Sequence, residues 1–353
     1  MKHKLKLAAR EFYARVLFHT GLHAVVDAVM PRRLTILAGH CVSPSPSSEH
    51  LPSEMKIDVH ALESILAWFK RRYDVCTIGA GVEKLRQGGG KSLVALSMDD
   101  GYRDNHRVMQ PMLQKLGVGA TVFLESRALD ERRVNWSHKF FWILTKLSIA
   151  EFIHRYGELC KDERSYHVAN QYVTEGREDP VYQFKRLLKY ETDPHDRDRV
   201  IDLIFAEQGG DETRLADLLY VTWEEARAMQ AAGIELGGHT ASHAILSKLA
   251  PAEAEREIRE GRESLKKNLG REIPTFAYPW GRRWDFDDAT EAAVTRAGFK
   301  TAVTMHAGTN RPDTPPTRLH RLAIDENAKL HLLVAEACGG FALAAKFGLK
   351  LSE

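Results

Sequence analysis

The sequence predicts an α/β fold in which parallel strands form a sheet or a barrel. Three observations support this: apolar strands alternate with helical segments from residue 34 onward, glycines end several helices, and polar residues follow the strands directly. The 353 residues allow one large domain with additions, or two domains. The formal net charge of +2 gives no signal for nucleic-acid binding. Four scattered cysteines without a CxxC pair favour a reducing compartment.

Residues 1–33 are predicted to form a basic amphipathic helix. Charged residues interrupt every apolar run, so the segment has neither the apolar region of a signal peptide nor a transmembrane run. Packing of this helix on the main domain is the first expectation, and contact with a membrane surface is the alternative. The pair His19 and His23 lies on this helix and is interpreted as non-functional.

The following elements alternate between strand and helix. A short buried strand is expected at 34–40, and the Ser- and Pro-rich stretch after it is expected to be a loop. Further strands and helices follow, with helices at 60–73 and 106–117 and strands at 93–98 and 120–126. This rhythm is typical of βαβ units.

The rhythm changes at about 130–220, where charged and aromatic helical sequence predicts a helical insertion. The strand and helix pattern then resumes, with helices at 223–233 and 251–270 and strands over GIELGGHT, 275–281 and 321–324. We therefore expect a barrel-type domain over 34–325 that contains the insertion. A helical tail is expected over 326–353.

Polar residues follow several of the predicted strands, and sites in parallel α/β folds form at such carboxyl ends. His239 and His243 are four apart, which would place both imidazoles on one side of a helical turn. Asp99 and Asp100 are adjacent, and two carboxylates this close need a cation or a shared proton. Two histidines, one aspartate and a water make an open divalent-metal site, which leaves the second aspartate as a base. By contrast, the adjacent acids at 287–288 precede a helix and indicate capping.

Three motifs carry a family resemblance. LSMDDGYRDN, HTASH and FAYPWG occur in this order and resemble the first three motifs of the polysaccharide deacetylase family, also known as nodulation-protein-B-like or carbohydrate esterase family 4. The resemblance runs from about residue 34 to 324 and excludes most of the helical insertion. It implies a distorted (β/α) barrel and a hydrolase that removes N-acetyl groups from a glycan of the cell surface or of an exopolysaccharide.

The resemblance also implies roles for individual residues. Asp100, His239 and His243 would hold one divalent metal, with zinc first and cobalt, nickel or manganese as alternatives. Asp99 would be the general base. The backbone N–H of Trp280 would donate to the oxyanion.

The same motifs supply three candidates for contact with the substrate. These are Tyr102, Tyr278 and Pro279. The substrate itself is expected to be an N-acetylated glycan. Two other readings stay open: an O-acetyl esterase or other amide hydrolase on the same scaffold, and a non-catalytic glycan-binding relative.

Two departures from the family pattern matter for the chemistry. Ala277 occupies the position of the arginine that orients the base in the family, so Asp99 must be held by another residue. The usual late catalytic histidine is not clear. His40, in ILAGHCV, resembles the early histidine of a permuted branch and is the predicted general acid. His320 is the weaker alternative, and a core histidine without catalytic role is a third reading of His40.

The predicted location is the cytoplasm, with the inner membrane surface as a narrower alternative. It depends on the absence of signal-peptide features and on the basic helix at 1–33.

Overall fold

A computed structural model describes residues 2–349 and 351, with side chains from residue 5 onward. Residue 1 of the predicted amphipathic helix lies outside the described residues. The same holds for residues 350, 352 and 353 of the predicted tail.

Ten strands among the described residues form two parallel sheets. Their bounds are β1 (Leu34–Gly39), β2 (Cys41–Ser43), β3 (Lys56–Asp58), β4 (Asp74–Cys76), β5 (Leu93–Met98), β6 (Thr121–Leu124), β7 (Glu235–Gly238), β8 (Thr275–Ala277), β9 (Thr301–Val303) and β10 (Leu322–Ala323). The main sheet runs β10–β1–β5–β6–β7–β8–β9, with β4 also paired to β5. It curls into a half-barrel, so the predicted barrel-type α/β fold is confirmed. The small sheet β2–β3 flanks the Ser- and Pro-rich stretch 43–54 that was predicted as loop.

Seventeen α-helices lie among the described residues. They are α1 (Lys2–His19), α2 (Leu22–Val29), α3 (Val59–Lys70), α4 (Ile78–Gln87), α5 (Gln110–Leu116), α6 (Ser126–Asp130), α7 (Trp136–Ile143), α8 (Ile149–Leu159), α9 (Glu163–Gln171), α10 (Pro180–Tyr190), α11 (Pro194–Glu207), α12 (Glu212–Leu219), α13 (Trp223–Ala231), α14 (Pro251–Leu269), α15 (Asp288–Arg296), α16 (Leu330–Ala337) and α17 (Gly340–Lys346). No helix among them is long and apolar enough to cross a membrane.

The strands at the centre of the main sheet hold the polar residues at their carboxyl ends in fixed positions. Every residue of β1 and of β5 is buried, and the two strands pair in parallel from Leu34 opposite Leu93 to Gly39 opposite Met98. Continuous apolar strands of this kind are covered by other elements on both faces. His40 and Asp99, which follow these two rigid strands, therefore lie at the same edge of the sheet.

The segment from α7 to α12 contains only helices, as the sequence predicts for 130–220. Its own core is aromatic: Phe152 lies against Phe140 and Phe184 with ring centroids 5.0 and 6.2 Å apart. An isolated bridge joins Tyr220, at its end, to Tyr102 beside the strand ends. The insertion is thus fastened next to the polar edge of the sheet.

The prediction of one continuous helix at the N-terminus is wrong. Two helices, α1 and α2, are separated at Gly21, which has a left-handed φ of 77° that glycine adopts without steric cost. Leu17 and Val26 are buried in a cluster with residues of α16 and α17, in the predicted tail. Phe18 lies against Trp68 of α3 with ring centroids 5.7 Å apart, which agrees with the expected packing on the main domain. Other apolar side chains of these helices stay exposed, including Phe12 at 70%.

Candidate metal centre and active site

The strand ends bring the predicted metal ligands together. The carboxylate oxygen Oδ1 of Asp100 lies 3.4 Å from Nε2 of His239 and 3.3 Å from Nε2 of His243. All three residues are buried, and their ligand atoms lie within 4.8 Å of one another. A tetrahedral zinc site with bonds of about 2.0–2.1 Å places its ligands about 3.3 Å apart. The observed spacing therefore fits a small divalent cation.

The unsatisfied atoms of this cluster also fit a metal. Oδ1 of Asp100 is buried and has no hydrogen-bond partner within the described residues. Burial would raise the pKa of Asp100, but the imidazoles of His243, His138 and His239 outweigh it and hold this pKa well below its usual range. Burial holds the pKa of His243 well below its usual value, so that ring is neutral, which is the form that ligates a metal.

The orientation of His239 is set by the strand beside it. Its Nδ1 lies 2.8 Å from the carbonyl oxygen of Ala277, so Nδ1 carries the proton and Nε2 is left for the metal. The spacing of His239 and His243 would place both imidazoles on one side if the segment formed a helical turn, but it does not form one. A non-helical turn follows β7, with left-handed φ values of 64° at Thr240 and 59° at His243.

Backbone strain is concentrated at the same place. Six described non-glycine residues have positive φ, and four of them are Asp100, Thr240, His243 and Trp280. Such conformations cost about 1–3 kcal/mol each and persist where the surrounding fold imposes them, often at functional sites.

Asp99 is held by Arg321, a residue that sequence reasoning did not assign to the site. Nη1 and Nη2 of Arg321 donate to the two carboxylate oxygens of Asp99 at 2.7 and 2.8 Å. The arginine is 1% exposed and also donates from Nε to the carbonyl oxygen of Thr304. Burial would raise the pKa of Asp99, but Arg321 and His239 outweigh it and keep the pKa below its usual range. Arg321 therefore supplies the guanidinium that Ala277 lacks.

His138 lies behind Asp100 and was also missed. Its Nε2 is 3.5 Å from Oδ2 of Asp100, and its Nδ1 is 2.5 Å from the hydroxyl oxygen of Tyr220. The hydroxyl of Tyr102 contacts Nε2 of the same ring. Tyr102 is fully buried and does not line the cavity, so the predicted substrate contact through Tyr102 does not fit this structure.

A cavity of about 1070 Å³ opens above these residues. Asp99, Asp100 and both histidine ligands line it together with Trp280. The indole Nε1 of Trp280 is buried and has no hydrogen-bond partner within the described residues.

The other two predicted substrate contacts lie elsewhere. Tyr278 stacks on Phe286 at 4.1 Å between ring centroids, and its hydroxyl donates to the carbonyl oxygen of Thr317. Pro279 is buried. Neither lines the cavity, so direct contact with a substrate does not fit this structure.

The two histidines considered as general acid lie at different places. His40 follows β1, is half-buried and lines the cavity. His320 does not line the cavity, and its ring centroid lies 6.3 Å from that of His306. The geometry favours His40, whose catalytic role stays a prediction.

Comparison with known proteins agrees with this geometry. The family model described as Polysaccharide deacetylase matches residues 187–302, which include both histidine ligands and the Pro-Trp-Gly turn. YxkH of Bacillus subtilis (strain 168), whose name assigns it provisionally to the polysaccharide deacetylases, is 25% identical over 105 residues. That match covers 30% of this chain and 37% of the relative.

Solved structures show the same fold. The deacetylase PplD of Streptococcus pyogenes superposes with a TM-score of 0.56 at 16% identity, covering 87% of this chain and 99% of its own. IcaB from Ammonifex degensii gives 0.54 at 18% identity, with 88% and 98% covered. A de-N-acetylase from Aggregatibacter actinomycetemcomitans gives 0.51 at 16% identity, with 84% and 97% covered. Membership of the permuted branch stays a prediction. The resemblance to the polysaccharide deacetylase family is confirmed, by the family model over residues 187–302 and by the shared fold of the solved structures.

Proposed function

We propose that this protein is a metal-dependent hydrolase that removes N-acetyl groups from a glycan. The observation that carries the proposal is the arrangement of the adjacent acids. Asp100 shares one buried cluster with two imidazoles, while Asp99 is fixed by Arg321 at the same cavity. The carboxylate of Asp100 is thus available to bind a cation, and the carboxylate of Asp99 is available to accept a proton.

Different residues are proposed to carry out different steps of the reaction. A divalent metal held by Asp100, His239 and His243 would supply Lewis acidity and lower the pKa of a water molecule. Asp99 accepts the proton of the attacking water, and its low pKa keeps it ionised for this role. Arg321 keeps both oxygens of Asp99 in place, which limits its motion.

The remaining steps use two residues at the rim of the cluster. The backbone N–H of Trp280 is proposed to donate to the carbonyl oxygen of the acetamide as negative charge develops there. His40 is proposed to give a proton to the amine that leaves the acetyl carbon, which would otherwise leave as an unstable anion. Zinc fits two imidazoles and one carboxylate, and cobalt, nickel or manganese can bind the same donors.

An amide substrate is favoured over an ester by one of the structural neighbours, which is a de-N-acetylase. Action on a cell-surface glycan or an exopolysaccharide is proposed on the same basis. An O-acetyl esterase on this scaffold is the second candidate.

The test is a substrate panel. Zinc-loaded protein is incubated with N-acetylated oligosaccharides, both neutral and acidic, and with acetylxylan, and released acetate and product masses are measured. We expect acetate from at least one N-acetylated oligosaccharide and none with Asp99→Asn. Release from acetylxylan alone would assign an esterase. Binding of an oligosaccharide without any release would assign the non-catalytic alternative.

We also propose that the protein works in the cytoplasm, at the inner membrane surface. All four cysteines are free, which is compatible with a reducing compartment. Exposed apolar side chains on α1 and α2 support a peripheral contact, among them Leu5 at 71% and Val29 at 70%. Co-sedimentation with anionic lipid vesicles tests this: Leu5→Ser/Val29→Ser should bind less than the unchanged protein, and equal binding would contradict it.

A further inference from the structure

The mouth of the cavity is built differently from its floor. Lys185 and Arg186 reach it from the insertion helix α10, and Arg282 and Arg283 reach it from the loop that follows Trp280. These four cations come from two separate segments of the chain and line the same opening.

The cations at the mouth differ from neighbouring cations in whether they form ion pairs with carboxylates. Lys189, also on α10, is paired with Asp285 at 3.0 Å, and Arg321 is paired with Asp99. Within the described residues, by contrast, Arg186, Arg282 and Arg283 form no ion pair. Two of the other acids that line the cavity, Glu54 and Asp325, form no ion pair with these cations within the described residues, although the charge of Glu54 acts on Lys185. A third, Glu336, is paired with Arg10.

Lys185 is placed by aromatic rings instead of by a carboxylate. Its Nζ lies 4.1 Å from the centroid of Phe141 and 5.0 Å from that of Trp280. Such contacts hold an ammonium group without neutralising its charge. Burial lowers the pKa of Lys185 to about 8, so the group is still mostly protonated at neutral pH.

We propose that these four cations bind an anionic group of the glycan, a carboxylate or a phosphate, while its acetamide group lies over the metal cluster. The inference rests on the proposed function and adds a substrate class to it. A guanidinium presents paired N–H donors that match the oxygens of either group. Mutual repulsion among the cations is offset when one oxyanion lies between them. A neutral glycan offers nothing that would offset it.

The test uses variants of exposed arginines that make no ion pairs. Arg282→Ala/Arg283→Ala and Arg186→Ala are compared with Arg271→Ala, whose exposed side chain also has no ion pair within the described residues but does not line the cavity. Chitotetraose is the neutral substrate, a hyaluronan tetrasaccharide carries carboxylates, and N-acetylglucosamine 1-phosphate carries a phosphate. Preference for one of the two acidic probes identifies which oxyanion is bound.

The expected result separates charge recognition from chemistry. In the double variant KM for the preferred acidic probe should rise about tenfold or more, with kcat little changed, because each lost charge-assisted hydrogen bond is worth about that factor. KM for chitotetraose and all constants of Arg271→Ala should stay the same. Unchanged KM for both acidic probes would overturn the inference and leave the deacetylase proposal standing.

A binding measurement keeps the inference falsifiable if none of these probes is turned over. Quenching of tryptophan fluorescence is titrated with inorganic phosphate and with glucuronate, using the unchanged protein and the same variants. Saturable binding that is weakened about tenfold in the double variant supports the anion site even if the deacetylase proposal fails. Equal affinities in all proteins, or no binding of either anion, would overturn the anion site.

Discussion

In the part of the chain that the structure describes, charged residues are paired at the strand ends and unpaired at the mouth of the cavity. At the strand ends Asp99 and Arg321 are buried and joined by two hydrogen bonds, and Asp100 lies among imidazoles. At the mouth, Arg282 and Arg283 are exposed and form no ion pair within the described residues. A buried charge needs an opposite charge within the folded protein, whereas an exposed charge is solvated by water and can remain unpaired until a substrate binds. The comparison supports our proposal that catalysis takes place at the strand ends and recognition at the mouth.

Removing Arg321 should have the largest effect. Arg321→Met leaves the carboxylate of Asp99 buried without its cation, which costs about 3–5 kcal/mol in the free energy of unfolding. Deacetylation should also fall strongly, because Asp99 loses its orientation. Urea denaturation and the rate of acetate release measure the two effects.

Arg318→Met is the matched control. Arg318 pairs with Asp288 and Glu291, but its side chain is 40% exposed. An exposed pair contributes about 0–1 kcal/mol. Equal destabilisation by the two substitutions would contradict the distinction between the buried strand ends and the exposed surface.

The general acid should give the next largest effect. His40→Gln is expected to lower kcat by about 10²-fold or more, since a positioned acid contributes this much to the departure of a poor leaving group. KM should change little. His320→Gln is the control and should keep near-normal kcat, because His320 does not line the cavity. The opposite ranking of these two variants would assign the acid to His320.

The buried lysine next to the mouth should show in the pH dependence of stability. Burial lowers the pKa of Lys189 to about 7 in the folded protein, against about 10.4 for a free lysine. Between these values the unfolded chain binds more protons, so this residue makes the free energy of unfolding rise with pH. Lys189→Met should reduce the rise between pH 7 and 9. A curve parallel to that of the unchanged protein would show that Lys189 titrates normally.

The difference between floor and mouth also explains what the sequence could predict. Asp99, Asp100 and His239 directly follow strands and His243 lies in the turn after β7, so local patterning was enough to place them at one edge. Arg321 was not assigned because its contact with Asp99 spans 222 residues along the chain. Only the closing of the sheet from β10 to β1 brings the two together.

The mouth was harder to predict for a related reason. Lys185 and Arg186 are ordinary surface charges in a helical sequence, and nothing in their spacing indicates which side of α10 faces the cavity. His138 likewise lies in an aromatic helix whose packing against Asp100 depends on the insertion. Residues whose position depends on contacts between distant elements were missed, while residues at strand ends were found.

The most direct test measures metal binding and proton transfer separately in one experiment. Asp99→Asn and His243→Ala are purified in parallel, and bound zinc and acetate release from the best substrate of the panel are measured. We expect Asp99→Asn to bind zinc like the unchanged protein and release almost no acetate. His243→Ala should lose both the metal and the activity. Near-normal acetate release by Asp99→Asn, or full zinc binding by His243→Ala, would contradict the assignment of one carboxylate to the proton and of the cluster to the metal.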